Sequence, residues 1–122
     1  MDNERGLLEI QTEERLNHAY SVGEVGPGGA YHDYVIRRAD NGEVLAEIKY
    51  QKGPRKDPSS RHGVLENDLL EIVMDRLSAF QAGEFACTEN EEALQHVHAA
   101  LLALNKRVEN RIARGVLGKN EK

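Results

Sequence analysis

Residues 63–118 read GVLENDLLEIVMDRLSAFQAGEFACTENEEALQHVHAALLALNKRVENRIARGVLG. Apolar residues recur every three or four positions in two stretches of this segment, and a glycine-containing connection separates the stretches. At 100° per residue, the apolar residues of the second stretch fall within about 40° of one line; they are Leu94, Val97, Leu101, Leu104 and Val108. The matching set in the first stretch is Leu69, Leu70, Val73, Leu77 and Phe80. The spacing predicts two amphipathic helices that form an antiparallel hairpin.

The second helix has clear signals at both ends. The sequence TENE at residues 88–91 matches a capping box, in which the Thr88 side chain accepts a backbone hydrogen bond and Glu91 reaches back. The helix is predicted to run to about Arg114, and the glycine at position 115 then releases the chain.

Residues 31–51 carry the signals of a β-hairpin. Aromatic and β-branched residues flank Asp40-Asn41-Gly42, a strong turn sequence. A two-stranded ribbon is marginal alone, so we expect it to pack on the helices or to pair with another chain. Residues 1–30 are compatible with a short helix or an extended arm, and a glycine-rich turn ends them.

These segments together predict an α+β fold. We expect a single domain over residues 1–122, with residues 1–30 as an uncertain extension, a β-hairpin at 31–51 and a helical hairpin at 63–118. Its order is an N-terminal antiparallel β-ribbon followed by a C-terminal two-helix antiparallel hairpin. Because the core is small and the helices are long, we expect the chain to form homo-oligomers.

The charge of the chain limits the ligands that it suits. A net charge of −5 argues against binding polymeric nucleic acid, which requires a broad basic face. Basic residues nevertheless concentrate at 49–61 and at 106–119. Two such zones suit a small anionic ligand, although ordinary solvated charge explains them as well.

No catalytic, metal or cofactor site is predicted. His96 and His98 lie about 200° apart on a helix and cannot bind one metal together. Cys87 has no general base beside it in sequence, and as the single cysteine it cannot form an intrachain disulfide, which fits a reducing compartment. No phosphate-binding loop, signal peptide or run of 18 apolar residues is present, so we expect neither secretion nor a membrane span.

Several residues of the predicted hairpin are of the kind that binds nucleotides. Arg107, Arg111 and Arg114 are spaced to form one basic ridge, which suits phosphate or complements the helix dipole. Asn90 lies on the apolar line, where it binds a ligand or makes a hydrogen bond at the helix start. Phe80 suits base stacking or a place in the core.

The length of the second helix constrains any shared site. Asn90 and Arg107 are 17 residues apart, about 25 Å at 1.5 Å per residue. They cannot hold one small ligand within one protomer. If two hairpins pack antiparallel about a twofold axis, Arg107 of one chain approaches Asn90 and Phe80 of the other.

Four segments of the chain form a recognisable series. They are GEVLAEIKYQKGP at 42–54, NDLLEIVMDRL at 67–77, FQAGEFACTENEEAL at 80–94 and RGVLG at 114–118. In this order they resemble the phage Thoeris anti-defence sponge family, the first described anti-Thoeris type. The helical part is similar to the hairpin domain shared with anti-CBASS sponges.

The resemblance implies a function and an assembly. It implies a phage or prophage protein of the host bacterial cytoplasm that binds glycocyclic ADP-ribose, the signal made by TIR-domain defence enzymes, without degrading it. Family members are dimers that assemble into larger rings, typically hexamers, and some also take up cyclic dinucleotides or trinucleotides at separate sites.

The resemblance also implies the site residues. The family's pocket between two protomers uses a stacking aromatic, an asparagine and two arginines. These match Phe80, Asn90, Arg55 and Arg107, with Lys56 or Arg61 as alternatives to Arg55. The candidates for a second cyclic-oligonucleotide site are Arg111, Arg114 and Gly115. Two other functions stay open: an enzyme that cleaves these signals, and a protein that binds and inhibits the defence enzyme or effector.

Overall fold

The computed structural model describes residues 3–119, and the chain divides into two compact units, Met1–Val64 and Leu65–Lys122. We call them the sheet unit and the helical unit. Of the single domain expected over residues 1–122, the first two and last three residues lie outside the described residues. The order of an N-terminal antiparallel sheet and a C-terminal pair of helices is confirmed.

The sheet unit is a four-stranded antiparallel sheet in the order β1-β2-β3-β4. The strands are β1 Glu4–Gly6, β2 Asn17–Val22, β3 Asp33–Arg38 and β4 Val44–Lys49. The predicted ribbon at 31–51 is therefore confirmed as β3 and β4. Residues 1–30, which were compatible with a helix or an extended arm, supply two further strands and a short 3₁₀ turn at Pro27–Gly29.

The turn between β3 and β4 forms as its sequence predicts. The backbone N–H of Arg38 donates to the Glu43 carbonyl at 2.8 Å, and the Asn41 side chain accepts from the Glu43 N–H at 2.9 Å. Gly42 has a φ of 77°, a left-handed conformation that a glycine adopts without strain. The turn aligns Val35 with Glu47, and Val35 is one of the two buried apolar residues of the described chain.

The loop after β4 is tied back to the sheet by Arg61. Its guanidinium donates to the Asp33 carboxylate at 3.0 Å and to the carbonyls of Tyr50 and His32 at 2.8 and 3.1 Å. Bridges pair Lys52 with Arg61 and Tyr50 with Val64. The loop at 52–62 is thus an ordered extension of the sheet unit.

The helical unit is a hairpin of α1 Glu66–Gln81 and α2 Thr88–Ala113. A groove of about 270 Å³ lies between the helices. It is lined by Met74 and Ser78 of α1 and by residues from Glu91 to His98 of α2. The two helices line this groove together and are joined by the short loop at 82–87, so they run antiparallel. The predicted helical hairpin is confirmed.

The cap of α2 differs from the predicted one. Helix α2 begins one residue earlier than the capping box requires, with Cys87 as the N-cap. The Cys87 sulfur accepts the backbone N–H of Asn90 at 3.4 Å, and the Cys87 N–H donates to the Gln81 side chain at 2.9 Å. Thr88 is therefore not the N-cap, and the expected role for Glu91 is wrong as well.

The apolar stripes of the helical unit are covered only in part. The α2 stripe from Leu94 to Val108 is half-buried throughout, whereas Val73 and Phe80 of the α1 stripe are 42% and 38% exposed. Ile72, also on α1, is 66% exposed. Among the described residues, the hairpin therefore leaves apolar surface exposed to solvent in the single chain.

Helix α2 ends in a Schellman motif. Gly115 donates its N–H to the Ile112 carbonyl and Val116 donates to the Arg111 carbonyl, both at 3.0 Å. This reversal requires the left-handed conformation of Gly115, which has a φ of 71°. Within residues 3–119, no helix has the length and hydrophobicity that crossing a membrane requires.

Candidate functional site

The arginines fall into two groups by their contacts. In the described part of the chain, six donate side-chain hydrogen bonds to protein oxygens: Arg5, Arg15, Arg37, Arg38, Arg61 and Arg111. Arg114 is also engaged with the protein. Three remain, Arg55, Arg76 and Arg107, which are exposed and have no hydrogen bond or ion pair with a protein group among residues 3–119. Their guanidinium groups are available to an anionic ligand.

Phe80 and Asn90 lie at the same end of the hairpin. Phe80 is in the last turn of α1 and Asn90 is in the first turn of α2, on either side of the loop at 82–87. The Gln81 side chain stabilises this loop through its bond to the Cys87 N–H. The structure therefore places the predicted stacking aromatic and the predicted asparagine at the same end of the hairpin, the end that carries the loop.

The side chain of Asn90 makes no hydrogen bond that caps the start of α2. Only its backbone N–H takes part in the cap, where it donates to the Cys87 sulfur. Its carboxamide has no hydrogen-bond partner within the described residues, and the residue is half-buried. The carboxamide is not among the buried polar atoms that lack a partner, so it is accessible to solvent and suited to bind a base edge or a hydroxyl group.

Arg107 lies toward the opposite end of α2. The helix is continuous from Thr88 to Ala113, so Asn90 and Arg107 are about 25 Å apart along its axis. The structure does not bring these two residues together within one chain. Arg107 is exposed and lies beside the half-buried Val108 of the apolar stripe.

The loop at 52–62 contains the three basic residues considered for the second arginine position. The Arg61 guanidinium is used by Asp33, Tyr50 and His32. Arg55 and Lys56 are exposed. Arg55 belongs to the sheet unit, whereas Phe80, Asn90 and Arg107 belong to the helical unit.

The candidates for a second site occupy the end of α2. Arg111 is 8% exposed, and its guanidinium donates to the carbonyls of Val116 and Lys119, both at 3.0 Å. It is thus not part of an exposed ridge with Arg107 and Arg114, contrary to the expectation from spacing. Gly115 acts in the Schellman turn.

Arg76 was not among the residues predicted from the sequence, and the structure places it beside Phe80. Its guanidinium carbon lies over the Phe80 ring, 5.1 Å from the ring centroid. The sequence could have indicated Arg76 through its four-residue spacing from Phe80, because residues four apart lie on one face of a helix.

No cluster suited to a metal is found in the part of the chain that the structure describes. His96 and His98 are exposed, and only His98 lines the groove between the helices. An aromatic ring such as that of Phe80, a carboxamide such as that of Asn90 and a guanidinium such as that of Arg76 are groups capable of stacking and of charge-assisted hydrogen bonding.

Comparison with known proteins gives two matches. Residues 42–109 match the family model of the Acb2/Tad1 hairpin domain. The chain is also 42% identical over 97 residues to Thoeris anti-defense 1 of Bacillus phage SBSphiJ7, an alignment covering 80% of this chain. It covers 66% of that relative, slightly less than two thirds of its length.

Proposed function

The chain belongs to the Acb2/Tad1 hairpin family, and we propose that it is a phage anti-defence protein that sequesters a cyclic nucleotide immune signal without degrading it. The signal is glycocyclic ADP-ribose, made by TIR-domain enzymes of the Thoeris system. The protein acts in the host bacterial cytoplasm and starves the effector of its activator.

One observation carries this proposal. Of the three exposed arginines with no hydrogen bond or ion pair among residues 3–119, two are Arg55 and Arg107, which the family resemblance assigns to phosphate binding. The carboxamide of Asn90 is likewise without a partner in that part of the chain. Residues that hold the fold together use their polar groups internally, whereas residues that bind a ligand keep them available.

The chemistry of the pocket is set by these groups. Arg55 and Arg107 bind the two phosphates by charge-assisted hydrogen bonds, Phe80 stacks the adenine, and Asn90 binds a base edge or a ribose hydroxyl. The engagement of Arg61 by Asp33 favours Arg55 or Lys56 as the loop residue. A sequestering protein must bind below the effector's activation threshold, so an affinity of about −12 kcal/mol, or nanomolar, is expected.

The pocket is composite in this proposal. Because Asn90 and Arg107 are about 25 Å apart on one rigid helix, a single ligand reaches both only when they come from two chains. The exposed apolar side chains of α1, including Ile72 and Val73, supply surface for such an assembly. We propose a dimer that assembles further, to a hexamer.

A separate site for cyclic dinucleotides or trinucleotides is a further part of the proposal, with Arg114, Gly115 and Arg111 as its residues. Arg111 is buried in the chain and its guanidinium binds two carbonyls. It would therefore contribute by fixing the end of α2, and the ligand would meet Arg114 and the backbone near Gly115.

Sequestration is distinguished from cleavage by recovery of the ligand. Purified protein is incubated with glycocyclic ADP-ribose, free ligand is removed by filtration, and the protein is heat-denatured. We expect free ligand to disappear and the intact molecule to return after heating. An enzyme that cleaves the signal would release only products.

The other alternative is direct inhibition of the defence enzyme or effector. It predicts co-purification of the protein with that partner and no loss of free signal on incubation. The same filtration step, carried out with a panel of cyclic nucleotides, separates this alternative from sequestration and identifies the preferred ligand.

A further inference from the structure

Arg76 stands out from the rest of α1. The helix contains the four acidic residues Glu66, Asp68, Glu71 and Asp75, and Arg76 is its one basic residue. None of the four lies three or four residues from Arg76, the spacing at which a helical ion pair forms. The Arg76 guanidinium accordingly has no ion pair or hydrogen bond to protein oxygens within residues 3–119.

The surroundings of Arg76 lie on an outward face of α1. Ile72, Arg76 and Phe80 are spaced four residues apart and share one line along the helix. Ile72 is 66% exposed and Phe80 is 38% exposed, whereas Met74 lines the groove against α2. The one unpaired cation of α1 therefore projects among apolar side chains, beside an exposed aromatic ring.

The contact with Phe80 orients both groups. The guanidinium carbon is 5.1 Å from the ring centroid, within the range of a cation–π contact. Phe80 is 38% exposed, so part of its ring remains accessible to a base. The donors of the guanidinium remain unused because the ring interacts with the cation's charge and not with its N–H groups individually.

We propose that Arg76 binds a phosphate group of the same nucleotide whose base stacks on Phe80. This inference rests on the proposed function, because it takes Phe80 as the stacking residue. Arg76 and Phe80 are four residues apart, about 6 Å along the axis at 1.5 Å per residue. This distance is comparable to the length of the ribose between the base and the phosphate of a nucleotide. Phe80 can therefore stack on the base while Arg76 binds the phosphate of the same nucleoside monophosphate unit.

The test uses the full chain and glycocyclic ADP-ribose prepared from NAD⁺ with a TIR-domain enzyme. Calorimetric titration measures the affinity of the wild-type protein and of Arg76→Gln, Arg76→Lys and a matched control, Lys106→Gln. The control removes one exposed positive charge from the same unit. We expect Arg76→Gln to weaken binding about 10-fold to 100-fold, because one charge-assisted contact is lost. The affinity of Arg76→Lys should lie between those of the wild type and Arg76→Gln, since lysine keeps the positive charge but lacks the paired N–H donors of the guanidinium.

A second background separates phosphate binding from a role in holding the ring. Arg76→Gln is combined with Phe80→Leu, which removes the ring. If Arg76 binds phosphate directly, its substitution still weakens binding in the Phe80→Leu protein. If its effect disappears there, Arg76 acts only by orienting Phe80 and the inference is overturned.

Two further outcomes would also overturn it. Arg76→Gln binding as tightly as the wild type would remove Arg76 from the site while leaving the proposed function intact. Absence of binding by the wild-type protein would remove the proposed function, and the inference would fall with it. Thermal unfolding of each variant, expected within a few degrees of the wild type because Arg76 is exposed, confirms that the variants fold.

Discussion

The sulfur of Cys87 accepts the backbone N–H of Asn90 at 3.4 Å, so a cysteine caps the helix whose first turn carries the proposed ligand amide. A thiol is a weak hydrogen-bond acceptor compared with a hydroxyl. A residue with a stronger hydrogen-bond acceptor at position 87 should therefore cap α2 better than cysteine does.

We expect Cys87→Ser to stabilise the protein by about 0.5 kcal/mol and Cys87→Val to destabilise it by about 1 kcal/mol, because serine is a preferred N-cap and valine has no acceptor. Urea denaturation measures both changes. A Cys87→Val variant as stable as the wild type would show that the sulfur contributes nothing as a cap.

Arg107 gives the most direct test of the proposed pocket. Arg107→Gln should weaken glycocyclic ADP-ribose binding by about 100-fold, since each pocket loses a phosphate contact. The adjacent Lys106→Gln removes the same charge from the next face of α2 and should change affinity less than about threefold. Calorimetry compares the two, and identical affinities would exclude Arg107 from the site.

Arg61 and Arg38 provide a contrast in stability. Arg61 is 33% exposed and joins Asp33, Tyr50 and His32. The Arg38 side chain pairs with Asp40 alone among residues 3–119, and those two side chains are 44% and 63% exposed. Arg61→Gln should therefore lower the free energy of unfolding by about 2 kcal/mol. Arg38→Gln should cost about 0.5 kcal/mol or less. Urea denaturation of the two variants checks the difference, and a larger loss for Arg38→Gln would contradict it.

The sequence predicted the elements whose burial pattern is regular. The helical stripes and the Asp40-Asn41-Gly42 turn were sufficient to predict α1, α2, β3 and β4. Strands β1 and β2 were not predicted, because β1 has three residues and β2 carries polar residues such as Ser21. Ser21 is fully buried and accepts a hydrogen bond from Arg5 at 3.0 Å, a partner distant in sequence.

The candidate site was predictable to a similar extent. The resemblance assigned Arg55, Phe80, Asn90 and Arg107, and these assignments stay predictions. Spacing alone placed Arg111 on an exposed ridge, but the chain after Gly115 folds back and covers it. Helical periodicity describes the face of a helix and contains no information about the path of the chain beyond the last turn.

The ion pair between β1 and β3 predicts how acid destabilises the sheet unit. Hydrogen bonds from Arg37 at 2.8 and 3.1 Å hold the pKa of Glu4 below its ordinary value of 4.5. A lowered carboxyl pKa stabilises the fold above the unfolded-state value, and this contribution is lost as the pH falls through the folded-state pKa.

We therefore expect the wild-type stability to decrease below about pH 4.5 and Glu4→Gln to reduce that decrease. Glu43→Gln, at an exposed glutamate of the β3–β4 turn, serves as the control and should keep the wild-type pH dependence. Urea denaturation between about pH 6 and about pH 3.5 measures the three proteins. A Glu4→Gln profile that matches the wild type would contradict the prediction.

The exposed apolar face of α1 predicts a place where a charged substitution should prevent assembly. Ile72→Glu places a charge on a side chain that is 66% exposed in the single chain, and we expect it to disrupt the proposed oligomer. Ala103→Glu adds the same charge on the side of α2 opposite its apolar stripe and should leave the assembly intact. Sedimentation velocity measures the oligomeric state of both. An unchanged assembly in Ile72→Glu would exclude this face from the interface.

The continuous helix between Asn90 and Arg107 has a genetic consequence. If each pocket takes Asn90 from one chain and Arg107 from another, a symmetric dimer contains two pockets. In a cell infected by two phages that encode different alleles, a dimer of one normal chain and one chain lacking Arg107 would keep one complete pocket. Each normal chain would still complete one pocket with whichever partner supplies Asn90. The number of complete pockets in mixed infection would therefore equal the number of normal chains, and the chain lacking Arg107 would not reduce it.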